Sequence, residues 1–142
     1  MGSIKLNIFH RLQTMGTEIE EPIKTALKEF LQWYGQRYSI DIEVDAHRLT
    51  IYIQHDITED LEDCVFNCVQ QTKRILSKEV DEEKIRESCQ DSCFVETTAV
   101  VDARFDDIRE ELIRRLNKYG IKNVWQGGWE DSYRYLVIHV QH

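Results

Sequence analysis

The sequence predicts an α+β fold, an antiparallel sheet with helices on one face, from two hydrophobic periods and from the order in which they occur. Several short segments alternate apolar and polar residues, as half-buried strands do, while longer segments repeat at helical spacing. In order they read strand, helix, hairpin, then a cysteine-bearing helical hairpin, then strand, helix, hairpin again. One domain over residues 1–142 is expected, with βαββ-like halves at 3–55 and 94–141 bridged by a helical hairpin over 57–93. A ferredoxin-like order over residues 3–103 is the close alternative, because the first half plus the next strand also gives strand-helix-strand-strand-helix-strand.

Residues 3–10 alternate Ile4, Leu6 and Ile8 with other side chains and predict a first strand. Ile23, Ala26, Leu27, Phe30, Leu31 and Tyr34 predict an amphipathic helix with Pro22 in its first turn and Gly35 as its stop. Ile40, Ile42 and Val44, then Leu49, Ile51 and Ile53, predict a hairpin that turns near Asp45 to His47. Thr58 is the expected cap of the next helix, and Asp81 opens its partner. Residues 94–103, FVETTAVVDA, are rich in β-branched side chains and predict a strand. Phe105, Ile108, Leu112, Leu116 and Tyr119 form a helical stripe ended by Gly120, with outward pairs Glu110 to Arg114 and Glu111 to Arg115. A turn at Gln126-Gly127-Gly128 then leads to a last strand carrying Leu136, Ile138 and Val140. Residues 28–55 and 110–142 share a helix, a Tyr-Gly step and a closing apolar-His strand, so an internal repeat is expected.

The four cysteines are the most unevenly placed residues. Cys64 and Cys68, like Cys89 and Cys93, stand four apart, on one face of a helix. A hairpin turning near residues 77–81 brings Cys68 opposite Cys89 and Cys64 opposite Cys93. Three states fit that layer: buried thiols in an apolar seam, two disulfides, or a four-thiolate zinc or iron-sulfur site. The twin C-x-x-x-C spacing resembles that of the small import chaperones of the mitochondrial intermembrane space. The resemblance covers spacing alone, since strands are expected on both sides here, and no membership follows from it.

A net charge of −8 opposes nucleic acid as a direct partner, because polyanion binding relies on clustered Lys and Arg. No apolar run reaches the length of a membrane span, and residues 1–16 lack the pattern of a secretory signal. A reducing cytoplasm is the default expectation, which weighs against disulfides. No phosphate loop, nucleotide fingerprint, H-E-x-x-H or G-x-S-x-G occurs, and acidic neighbours such as Asp63 and Glu87 disfavour a catalytic thiolate. No catalytic residue and no cofactor-binding residue is assigned, zinc at the four cysteines being the one cofactor left open.

Two functions are kept. The first is a small acidic intracellular protein-binding, adaptor or inhibitor module without catalytic activity. It would meet another protein through a sheet edge, through Trp125 and Trp129 beside the glycine turn, or through the strand-face carboxylates Asp41, Glu43 and Asp45. A homodimer made by edge-strand pairing is compatible with it. The second is a metal-binding or redox-switched sensor or oxidoreductase using Cys64, Cys68, Cys89 and Cys93.

Overall fold

A computed structural model describes residues 20–45, 47–76 and 81–141 of the chain, so the expected strand at residues 3–10 lies outside the described residues. The elements are α1 (Glu21–Arg37), β1 (Ile42–Asp45), β2 (Thr50–Asp56), α2 (Thr58–Leu76), α3 (Glu82–Lys118), β3 (Asn123–Glu130) and β4 (Tyr133–Val140). They fall into two compact units, Asp56–Arg104 and the residues on either side of it. The fold is α+β on an antiparallel sheet.

Among the described residues the flanking unit holds four strands in the order β1-β2-β4-β3. Each hairpin is antiparallel, with Ile42 opposite Ile53 and Trp125 opposite Ile138. Where the central strands meet, the Val140 N–H donates to the Leu49 carbonyl at 2.8 Å. The second strand of each hairpin is therefore central and the first is an edge.

Alternation decides which strand residues are inside: Ile42, Ile51, Ile53, Leu136, Ile138 and Val140 are all buried. So are Ile23, Ala26, Leu27, Phe30, Leu31 and Tyr34 of α1, and Phe105, Ile108, Leu112 and Leu116 of α3. These are the stripes expected from spacing, and burying each large member contributes about 1.5–3 kcal/mol. Burial pushes the Tyr34 phenol pKa up, and its hydroxyl donates to the Ile40 carbonyl.

Four local expectations are corrected. Gly35 does not end α1, which runs on to Arg37, where Tyr38 turns extended and its N–H still reaches the Tyr34 carbonyl. Phe30, Trp33, Tyr34 and Tyr38 stack along that end, so packing carries the helix past its glycine. Gly127 and Gly128 are not a turn but lie inside β3, opposite Leu136 and Tyr135; the chain reverses at Asp131-Ser132, with Asp131 at φ 53°. A Cβ on Gly127 would sit 3.3 Å from both Arg134 Nη1 and the Tyr135 carbonyl oxygen, so the glycine makes room for that buried arginine. Thr58 is the first residue of α2 rather than its cap, and Asp56 Oδ1, two residues earlier, accepts from the Thr58 N–H at 3.0 Å and from its hydroxyl at 2.6 Å. Arg114 pairs with Glu111 rather than with Glu110, and Glu111 holds Arg115 as well.

The largest correction concerns residues 94–103, which are helical and leave α3 unbroken over 37 residues. β-Branched side chains bias a segment toward strands but fit a helix when their hydroxyls bond back, as Thr98 Oγ1 does to the Phe94 carbonyl at 2.7 Å. Buried residues also recur along α3 at steps of four: Ile85, Cys89, Cys93 and, after the half-buried Thr97, Val101 and Phe105. That register is helical, and it outweighs local propensity. Gly120 ends α3 as expected, at φ +70°, with its N–H on Asn117 and the Ile121 N–H on Leu116.

Tyr119 is half-buried, and its hydroxyl donates to Glu29 at 2.7 Å across from α1. That bond, followed by the Lys118 charge, holds the Glu29 carboxyl below the usual carboxylate range. A lowered folded-state pKa gives stability that is present above the unfolded value and lost as pH falls through the folded one. Tyr119→Phe is therefore expected to lower the melting temperature at neutral pH, with the gap to the parent closing on acidification. Thermal melts across the acid range check this, and a gap independent of pH would count against it.

Candidate functional site

The Asp56–Arg104 unit is a helical hairpin of α2 and the first part of α3. Asp81 opens its second arm by accepting the Glu83 N–H at 3.1 Å, as expected. Near the turn, Lys73 Nζ lies 2.8 Å from Glu82 Oε1 and holds the Glu82 carboxyl below its usual range.

All four expected cysteines are brought together, and they are disulfides. Cys64 joins Cys93 and Cys68 joins Cys89, each with Cα atoms 5.8 Å apart. Cys89 and Cys93 are buried, while Cys64 and Cys68 are half-buried. With its sulfurs paired the layer offers no thiolate to a metal in this oxidised form. Among the described residues no group of three or more His, Cys, Asp and Glu side chains is arranged to hold a metal.

Apart from the sulfurs, the hairpin has little interior. Among the described residues Ile57, Val69, Ile85 and Val101 are buried, with Val65 partly so. Ile75, in the last turn of α2, is 80% exposed. The staples replace a core as the means of holding the two arms.

Their register opens a groove of about 800 Å³ between the arms. Leu61, Val65 and Val69 line it from α2, together with Glu62, Asp63, Phe66 and Gln70; Glu82, Arg86, Gln90 and Phe94 line it from α3. The α3 residues stand four apart, so a single helix face forms that wall. Phe66 is 64% and Phe94 58% exposed, and the neighbouring Val95 is exposed too. A smaller cleft of about 230 Å³ adjoins Cys64 and Thr97.

Set against family models, curated proteins and solved structures, the chain matches none of them.

The sheet candidates are distributed differently. Trp125 and Trp129 lie on one face of the edge strand β3, opposite Ile138 and Arg134. Trp125 is 48% exposed but carries the Arg109 guanidinium 4.4 Å from its ring centre, and Trp129 is half-buried. Asp41, Glu43 and Asp45 are exposed along the β1 edge. Asp45 Oδ1 is taken up locally, accepting the His47 and Arg48 N–H groups at 3.1 and 3.2 Å. The sequence did not single out Phe66 and Phe94. Their signal was present, since Glu62, Phe66 and Gln70 share one helical row and Glu82, Arg86 and Gln90 share another in the expected second arm, but assigning residues 94–103 to a strand left out Phe94.

Proposed function

We propose that this protein is a small acidic protein-binding module, an adaptor or inhibitor without catalytic activity, whose contact surface is the open groove of the stapled hairpin. The observation that supports it is the exposure of Phe66 and Phe94 along a single groove. Large apolar side chains gathered in one concave place mark interaction sites more often than scattered ones do. Two disulfides make the surface rigid, which lowers the ordering cost of binding.

The partner under this reading is another protein. Nucleic acid and anionic membrane suit the acidic hairpin poorly, and no described helix is long and apolar enough to cross a bilayer. Disulfides persist in oxidising compartments, so they favour such a compartment over the cytoplasm expected from the N-terminus. A redox-switched staple is the second reading, favoured by the same disulfides. Against it, Cys89 and Cys93 are only 3% and 2% exposed, which restricts attack by an external thiol at those sulfurs.

Affinity capture with matched variants tests the surface. Phe66→Ala combined with Phe94→Ala is expected to leave the fold intact and to remove interactors that Trp125→Ala combined with Trp129→Ala retains. Identical capture profiles for the groove variant and the parent would reject the groove as the contact surface.

A further inference from the structure

Shape and charge together narrow what the groove takes, on the footing of the protein-binding reading above. From Glu82 to Phe94 the α3 wall spans about 18 Å at 1.5 Å per residue, the length of a helix of about three turns. Two antiparallel helices held side by side present ridges with a groove between them, and a third helix is the element whose side-chain ridges fill it. An extended strand needs unpaired backbone groups to add to, which a helical hairpin does not offer.

The charge is uneven. Residues 56–104 contain thirteen Asp and Glu against six Lys and Arg, a net −7 of the chain's −8. Within the groove the α3 wall is close to neutral, Glu82 being paired with Lys73 and followed by Arg86, whereas Glu62 and Asp63 on the α2 wall, one turn before Phe66, have no ion-pair partner among the described residues. Acidic groups on the rim of an apolar groove attract cations and repel anions as a partner approaches. A second copy of this chain would bring another −7 to the same place, and an anionic lipid surface would be repelled likewise.

We infer that the groove binds a cationic amphipathic helix of about three turns from another protein, its apolar stripe on Val65, Val69, Phe66 and Phe94 and its Lys or Arg side chains beside Glu62 and Asp63.

Three fluorescent peptides of about 14 residues test this against the full-length oxidised protein by anisotropy at low and high salt. One carries a leucine stripe flanked by lysines, the second replaces those lysines with glutamates, and the third scatters the leucines of the first around the helix. The first is expected to bind saturably and to weaken with salt. Glu62→Gln with Asp63→Asn is expected to weaken it about fivefold, as exposed charge pairs do, and Phe66→Ala with Phe94→Ala about 30-fold or more, as truncated anchors do. Circular dichroism and disulfide mass mapping confirm the fold of each variant, and the charge variant alters no packing.

Equal binding of the glutamate peptide would overturn the cationic partner while leaving the groove in place. Equal binding of the scattered peptide would reduce the effect to charge adhesion and overturn helix docking. Binding insensitive to Phe66 and Phe94 would defeat the protein-binding groove itself. A concentration-dependent dimer in sedimentation, abolished by Phe66→Ala, would make a second copy the occupant and overturn the inference.

Discussion

Reducing both disulfides, or replacing all four cysteines by alanine, is expected to melt the hairpin while the sheet unit stays folded. The inner bridge, Cys68 to Cys89, closes 21 residues, worth about 3 kcal/mol in the chain-entropy model. Cys64 to Cys93 spans 29 residues but encloses the inner loop, so once the inner bridge exists it closes only a short further ring, worth about 2.5 kcal/mol. Together they contribute about 6 kcal/mol, comparable with the whole stability of many small domains. Against that loss the described residues of the hairpin bury, besides the cysteines, only Ile57, Val69, Ile85 and Val101, with a few partly buried neighbours. The sheet unit has its own buried residues on α1, the end of α3 and the inward faces of β2 and β4. Hydrogen exchange is the check: amides of 58–76 and 82–104 should lose protection on reduction, and those of 105–118 should keep it. All three tryptophans, Trp33, Trp125 and Trp129, belong to the sheet unit, so their fluorescence midpoint should move little. Retained protection across the reduced hairpin would show that its helices hold without staples. In the same model, removing only the outer bridge should cost slightly more than removing only the inner one, because the 29-residue loop that then remains closed by the outer bridge restrains the unfolded chain more than the 21-residue loop does.

How much of this was legible beforehand follows from where one period dominates. The α1 stripe and the Phe105 to Leu116 stripe each bury one face continuously, and spacing placed every buried residue of both. Cysteine register was legible for the same reason, since a step of four in each arm leaves one antiparallel pairing, yet the oxidation state was not, because redox chemistry is set by surroundings rather than by spacing. Residues 94–103 misled because β-branched propensity is a local preference of about a kilocalorie in total span. The preceding Cys89 and Cys93 and the following Phe105 already require helical register on both sides, so interrupting α3 would have left two helix ends to satisfy. Gly127-Gly128 misled in the opposite sense. Glycine pairs often mark turns, but here the missing Cβ is used by Arg134, a contact no local pattern reports. The strand assignment cost the groove its Phe94 end, while the rest of both walls lay within the expected hairpin.

Truncating Phe105 to alanine is the second large effect expected, and it acts on the other unit. Its ring is 1% exposed, and the Arg134 guanidinium lies 5.0 Å from the ring centre. Arg134 is itself 8% exposed and donates from Nη1 to the Gly128 carbonyl at 3.1 Å and to the Tyr135 carbonyl at 2.7 Å. Phe105 thus forms part of the interior and also supports a buried cation that reaches the backbone of both strands of the second hairpin. Alanine would leave a cavity costing about 3–5 kcal/mol, and the arginine would lose a contact worth about 1–2 kcal/mol when desolvated. Arg134→Met keeps most of the volume and forfeits only the charge and its hydrogen bonds, so its expected cost is smaller, about 1–3 kcal/mol. Because residue and support are in contact, the two changes should couple: combining them should cost less than their sum, since the contact can be lost only once. Urea denaturation followed by tryptophan fluorescence reads the sheet unit selectively. A cost below about 1 kcal/mol for Phe105→Ala, or strict additivity with Arg134→Met, would mean that the arginine is held by its carbonyl partners alone and that the space left open at Gly127 serves those bonds rather than the stack.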